Sequence, residues 1–221
     1  MKNQDYGIDT DFSSDNRGEL EELMPVLKKA GFGIIREQFT WQTLDSDGNG
    51  FKMNDKYNRF IELSQESGSD ILAIASFGNT NYMNGTPPET DEETDYYAAY
   101  CKDLAKEVSG SAGYIEIWNE YMLSGFNDKG LPPEKYAHML VRAYDAIRTV
   151  NNDIKICSMV LPGMTETVQS GSVLVDTDGD GTGEKLSPLQ WLRMVLDELK
   201  KYEQAGCYRG CITTLIYGFI S

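Results

Sequence analysis

The chain has 221 residues, 40% hydrophobic and 25% charged, the balance of a globular protein with a sizeable core rather than of a disordered one. Its net charge of −15 disfavours nucleic acid and anionic membrane surfaces as partners. No apolar run approaches the ~20 residues of a membrane span, and no charged segment followed by an apolar one opens the chain, so no compartment is assigned.

A first strand is expected over residues 6–12, with polar residues at its end. An amphipathic helix follows over 17–30, where Leu20, Leu23, Met24 and Leu27 keep helical spacing and Gly31 stops it. Pro25 is the awkward residue in that window. A second strand over 33–41 ends in polar and aromatic groups, and a loop over 45–50 leads to a helix over 54–67. The third strand, 71–78, is nearly all apolar, as a buried parallel strand should be. An acidic run then opens a helix over 94–108. The fourth strand is 114–120, the next helix 133–150 and the fifth strand 154–160. A Gly/Asp-rich insertion over 165–187 precedes a helix over 188–202 and a last apolar run, 212–220, which reads as a sixth strand. Strand and helix alternate throughout, which predicts a parallel sheet with right-handed crossovers in one domain over 1–221. No glycine-rich phosphate loop follows an early strand, which disfavours a doubly wound nucleotide fold.

The cysteines, Cys101, Cys157, Cys207 and Cys211, have too little histidine near them for zinc. The single histidine, His138, lies in a helical stretch, which disfavours a Ser-His-Asp hydrolase.

Residues 114–120 read Tyr-Ile-Glu-Ile-Trp-Asn-Glu. Period-two alternation puts Glu116, Trp118 and Glu120 on one side of a strand. A carboxylate beside an amide and an indole at the end of a buried strand has to be paired, hydrogen-bonded or used. Strand C-termini are where parallel α/β barrels carry catalytic groups. A purely structural reading makes Glu120 a cap for the next helix.

Glu116-Ile-Trp-Asn-Glu120 resembles the fourth-strand signature of the clan A glycoside hydrolases. Arg36-Glu-Gln-Phe-Thr-Trp41 resembles the Arg-x-x-x-x-Trp of the β-xylosidase-like and cellulase-like members, families 39 and 5. The resemblance covers residues 6–163 and implies a (β/α)8 TIM barrel that hydrolyses β-linked glycosides with retention, with a carbohydrate substrate and no cofactor. Carried over, Glu120 is the general acid/base, Asn119 binds the sugar 2-hydroxyl and Arg36 supports the active-site carboxylates. Trp41 or Phe39 lines a sugar subsite, Trp118 supplies a low-polarity wall, and Phe77 and Asn81 are further subsite candidates. The plainer reading of Arg36 is an interior ion pair with Glu116 or Glu37, and that of Trp41 and Phe39 is packing under the next loop.

In clan A the nucleophilic Glu ends the seventh strand, whereas the elements here run out at about the sixth. The expectation is an incomplete, C-terminally truncated barrel that lacks the nucleophile and self-associates through open sheet edges. The alternative function is an inactive carbohydrate-binding or structural remnant. Asp176-Thr-Asp178-Gly-Asp180-Gly opens like a calcium loop, but Ser187 stands where the closing Glu belongs. Residues 45–50 open similarly, and both strings also suit plain tight turns.

Overall fold

The computed structural model describes residues 3–12, 20–84, 87–163, 165–204 and 213–216. The elements run β1 (Asn3–Asp9), α1 (Leu20–Ala30), β2 (Phe32–Thr40), α2 (Trp41–Leu44), α3 (Asp55–Ser67), β3 (Asp70–Ser76) and α4 (Asp91–Glu107). They continue as β4 (Ala112–Ile117), α5 (Pro133–Arg148), β5 (Lys155–Leu161), β6 (Leu174–Val175), β7 (Glu184–Lys185), α6 (Pro188–Gln204) and β8 (Thr213–Ile216).

Local chemistry sets these boundaries. Asn54 caps α3 by accepting the Tyr57 amide at 3.0 Å, and Gly68 ends it in a left-handed conformation at φ 71°. Thr90 and Glu93 form a reciprocal capping box, so α4 starts at Asp91 rather than at residue 94. Its acidic first turn, Asp91, Glu92 and Glu93, sits at the positive end of the helix dipole. Helix α1 continues through Pro25.

Several strand ends differ from expectation, with β1 ending at Asp9 rather than at residue 12 and β3 at Ser76 rather than at residue 78. β2 stops at Thr40 and Trp41 opens α2; β4 stops at Ile117, so Trp118, Asn119 and Glu120 lie beyond the strand. The last apolar run pairs with β5 over Thr213–Ile216; Cys207, Cys211 and the rest of that run lie outside the described residues, as do positions 17–19 of the first helix.

Six strands form one sheet in the order β1-β2-β3-β4-β5-β8, and every neighbouring pair is parallel. A strand order that never reverses, with same-handed crossovers, keeps the helices on one face. This is the arrangement of an incomplete (β/α)8 barrel, not of a doubly wound sheet. Neighbouring helices pack on one another, α1 on α3, α4 on α5 and α5 on α6. No helix among the described residues is long and apolar enough to cross a membrane.

The register separates the two faces. Asp9, Arg36 and Leu72 align across β1, β2 and β3, and Gln38, Ile74, Glu116 and Cys157 align one step further along. That face belongs to the barrel interior. On the other face Ile35 and Phe39 are buried, Phe39 stacking on Tyr57 of α3 at 4.7 Å.

Tyrosines from the helix layer take over where the strand ladder ends. The hydroxyl of Tyr100 donates to the Phe39 carbonyl, and that of Tyr57 accepts the Thr40 amide at 3.2 Å. Tyr97 donates to the Ala75 carbonyl at 2.6 Å and accepts the Trp118 amide at 3.2 Å. Tyr136 donates to the Ile117 carbonyl at 3.0 Å and accepts the Met159 amide at 2.5 Å. Burial pushes the Tyr97, Tyr100 and Tyr136 phenols well above their usual range, so they remain neutral donors. Tyr136→Phe strands a buried amide and a buried carbonyl together. Urea denaturation should show the variant less stable by about 2 kcal/mol, the scale of an unsatisfied buried polar group.

Candidate active site at the carboxyl end of the fourth strand

Arg36 is the hub of the interior face. Its guanidinium donates to Glu116 twice, Nε to Oε2 at 2.8 Å and Nη2 to Oε1 at 2.9 Å. Nη2 also donates to Asn119 Oδ1 at 2.9 Å, and Nη1 to Asp9 Oδ2 at 2.9 Å. Glu116 is fully buried, and its Oε1 accepts the Val160 amide of β5 at 3.1 Å. The ion-pair reading of Arg36 is therefore met by Glu116. Glu37 turns to the opposite face, where its carboxylate accepts the Thr10 hydroxyl at 2.7 Å and the Phe12 amide at 2.9 Å.

The motif residues follow a broken path. Trp118 and Glu120 both take left-handed backbone angles, φ 65° and 46°, which L-residues adopt at about 1 kcal/mol or more each. The Trp118 amide is held by the Ala75 carbonyl and the Tyr97 hydroxyl, each at 3.2 Å, and its indole donates to the Phe126 carbonyl at 3.0 Å. The Leu123 amide closes a turn onto the Glu120 carbonyl at 2.8 Å. Asn119 is buried on the Arg36 side, and Glu120 stands beside it half-buried, 3.5 Å from the Asn119 amide nitrogen.

The two glutamates titrate in distinct surroundings. Burial pushes the Glu116 carboxyl up, opposed by the Arg36 hydrogen bonds and charge and by the Val160 amide. Burial also raises Glu120, opposed by the Arg36 charge and the Asn119 amide. A half-buried carboxyl that holds its proton more tightly than usual, at the mouth of a parallel barrel, has the properties of a proton donor.

Several expected subsite residues lie elsewhere. Phe39 is fully buried against α3, because it lies an odd number of positions along β2 from Arg36 and the strand turns it to the helix side. Trp41 is also buried, stacked between Tyr82 at 5.1 Å and Tyr100 at 5.2 Å. Trp118 does not share a strand face with Glu120; its positive φ turns it into the core against Phe77, Tyr97 and Tyr121. These three aromatics are core residues with no face for a sugar. Phe77 is half-buried, stacked on Phe126 at 5.2 Å. Asn81 is exposed, but its amide holds the carbonyls of Asp45 and Ser46 at 3.1 and 3.2 Å. Asp9 escaped the sequence reading, although it is a polar residue at the end of a strand.

The two Asp/Gly strings fold as turns. Asp45 is buried, with the Gly50 amide at 3.0 Å and the Tyr82 hydroxyl at 2.7 Å on its carboxylate, which pushes Tyr82 up to about 12. Asp176, Asp178 and Asp180 form the exposed tip between β6 and β7, their ligand oxygens within 4.8 Å of one another. Asp176 accepts the amides of Gly179 and Gly181 at 2.7 and 2.9 Å.

Arg36→Met should destabilise the fold by about 3–5 kcal/mol in chemical denaturation, because it leaves the Glu116 charge buried without its partner. Adding Glu116→Gln should recover part of that loss. Glu120→Gln should act in the other direction. Because its folded-state pKa is raised, Glu120 weakens the fold as pH climbs above the unfolded value of about 4.3. Denaturation midpoints of variant and wild type should therefore coincide below about pH 4, with the variant the more stable at pH 7.

A comparison with protein families matches residues 3–183 to cellulase, glycosyl hydrolase family 5. A comparison with curated proteins returned no match. Among solved structures, a family 39 glycoside hydrolase from Bacteroides cellulosilyticus WH2 is similar at TM-score 0.62 and 24% identity, over 71% of this chain and 31% of that one. The endoglucanase Cel5A from Thermotoga maritima is similar at TM-score 0.52 and 17% identity, over 90% of this chain and 73% of that one. Endo-glycoceramidase II from Rhodococcus sp. is similar at TM-score 0.57 and 15% identity, over 95% and 64%. This chain thus spans about a third of the length of the family 39 protein. At these identities the likeness speaks for the barrel fold alone, whereas the family match runs over most of the 221 residues. By that match the chain belongs to the cellulase family, glycosyl hydrolase family 5.

Proposed function

We propose that the chain carries the acid/base side of a site that hydrolyses β-linked glycosides with retention, with Glu120 as the proton donor. One observation carries the reading: a half-buried glutamate with a raised pKa follows the fourth strand of a family 5 barrel, beside an asparagine fixed by a buried arginine. Glu120 gives its proton to the glycosidic oxygen as the bond breaks, then takes one from the water that resolves the glycosyl intermediate. Asn119 is neutral and anchored through Oδ1, so its amide nitrogen is the group that meets a sugar hydroxyl.

Retention requires a second, ionised carboxylate about 5 Å from the acid. Glu116 is fully buried and engaged by Arg36 and the Val160 amide, which disqualifies it as a nucleophile. Asp9 is bound to Arg36. We place the nucleophile outside the described residues. The two ends of the sheet, β1 and β8, each pair on one side only among the described strands, which supports self-association through those edges.

The test is turnover of a panel of β-glucosides, β-xylosides, β-mannosides and β-linked oligosaccharides. Glu120→Gln should reduce kcat on unactivated glycosides by about 10²- to 10⁴-fold, the usual contribution of a general acid/base. The loss should be smaller on aryl glycosides whose leaving groups depart without a proton. An equal loss on both classes would remove Glu120 from the proton-transfer role. Sugar binding without turnover in a folded sample would favour the non-catalytic reading.

A further inference from the structure

We propose that Asp9 is a positioning residue that sets the charge around Glu120, offsetting the Arg36 cation so that the acid keeps its proton. This rests on the acid/base reading of Glu120.

An arginine beside a general acid is a chemical problem. A cation within a few ångströms stabilises the ionised carboxylate and so weakens the donor. Arg36 has to be there, since it anchors Asn119 and balances buried Glu116. Glu116 matches the guanidinium one for one through two charge-assisted bonds. Asp9 adds a second carboxylate on the remaining edge, Oδ2 at 2.9 Å from Nη1. Two carboxylates around one guanidinium leave the cluster net negative, which makes a further negative charge on Glu120 less favourable.

The position of Asp9 is built into the sheet. It pairs in register with Arg36 on the neighbouring strand, on the interior face. Among the described residues, Arg36 lowers the Glu120 pKa by its charge and Asp9 raises it; the same two act with the same signs on Glu116. Among the described residues, the other groups named on the facing elements are a thiol, a phenol and two neutral side chains. The Cys157 thiol of β5, aligned with Glu116, is pushed by burial up to about 12, and the Tyr136 phenol of α5 lies well above its usual range. Gln38 of β2 and Ser76 of β3 do not titrate, and the Glu37 carboxylate is turned away to Thr10 and Phe12.

Two substitutions separate charge from shape. Asp9→Asn keeps an oxygen for Arg36 and removes the charge, whereas Asp9→Glu keeps the charge and disturbs the fit. The Glu120 carboxyl is followed by carbon-13 NMR through a pH titration, its resonance assigned by its absence in Glu120→Gln. Asp9→Asn should move the Glu120 midpoint to lower pH by about half a pH unit, the scale of one partly solvated neighbouring charge. Asp9→Glu should leave it near the wild-type value. An unmoved or raised midpoint in Asp9→Asn would overturn the proposal, as would an equal shift in both variants, which would mean that Asp9 serves geometry alone. Asp9→Ala is the second charge-free variant should the amide fail to fold, with the same downward shift expected and the same overturning result. The titration needs no turnover, so an inactive wild type would remove the acid/base reading and leave the charge effect of Asp9 measurable.

Discussion

The buried guanidinium of Arg36 is the constraint on which the site depends. A bidentate pair sealed inside a barrel gives up the hydration of both ions, and such a pair adds little net stability over an apolar replacement of the same volume. Its consequence is geometric. A planar fork with five donors presents its edges in fixed directions, and a lysine would not reproduce that pattern. Three edges of Arg36 reach β1, β4 and the motif loop at once, so one side chain ties two strands to the orientation of Asn119.

Around that hub, two kinds of support hold the strand ends where the sheet ladder gives out. On the interior face the support is ionic; on the helix face it is a set of neutral phenols that satisfy strand-end amides and carbonyls. Buried backbone groups demand partners, and a tyrosine reaching in from a helix supplies one without introducing a charge. The β4 end receives both kinds at once. There the backbone leaves the strand, crosses twice into left-handed geometry and sets a carboxyl at the boundary between protein and solvent. A fold of this type hosts many chemistries, so the functional argument rests on that boundary and not on the barrel.

The order of strands and helices was legible because fully buried parallel strands read as continuous apolar runs and the helices keep their own period. An interior ion pair of Arg36 was legible too, with Glu116 and Glu37 both open as its partner, since charges at interior strand positions have few ways to be satisfied. Phe39, Trp41 and Trp118 were misread for three separate reasons. Phe39 was assigned by its nearness to a strand end, whereas its parity relative to Arg36 already placed it on the helix side. Trp41 had passed beyond the strand into α2, a boundary that no cap marks. Trp118 turned inward through a positive φ, which sequence rules announce for glycine and asparagine and almost never for tryptophan. Asp9 stayed hidden because its meaning lies in the register between two strands, and register is not written in either strand alone.

The anchoring of Trp118 has a mechanical consequence. Its amide is clamped by a tyrosine of α4, its ring is packed among core aromatics, and the carbonyl just before it is held by a tyrosine of α5. Two residues later stands the carboxyl of Glu120. The backbone that leads to that carboxyl is accordingly fastened to the close-packed helix layer. Softening α4 or α5 would blur the site from behind, without touching anything that faces solvent.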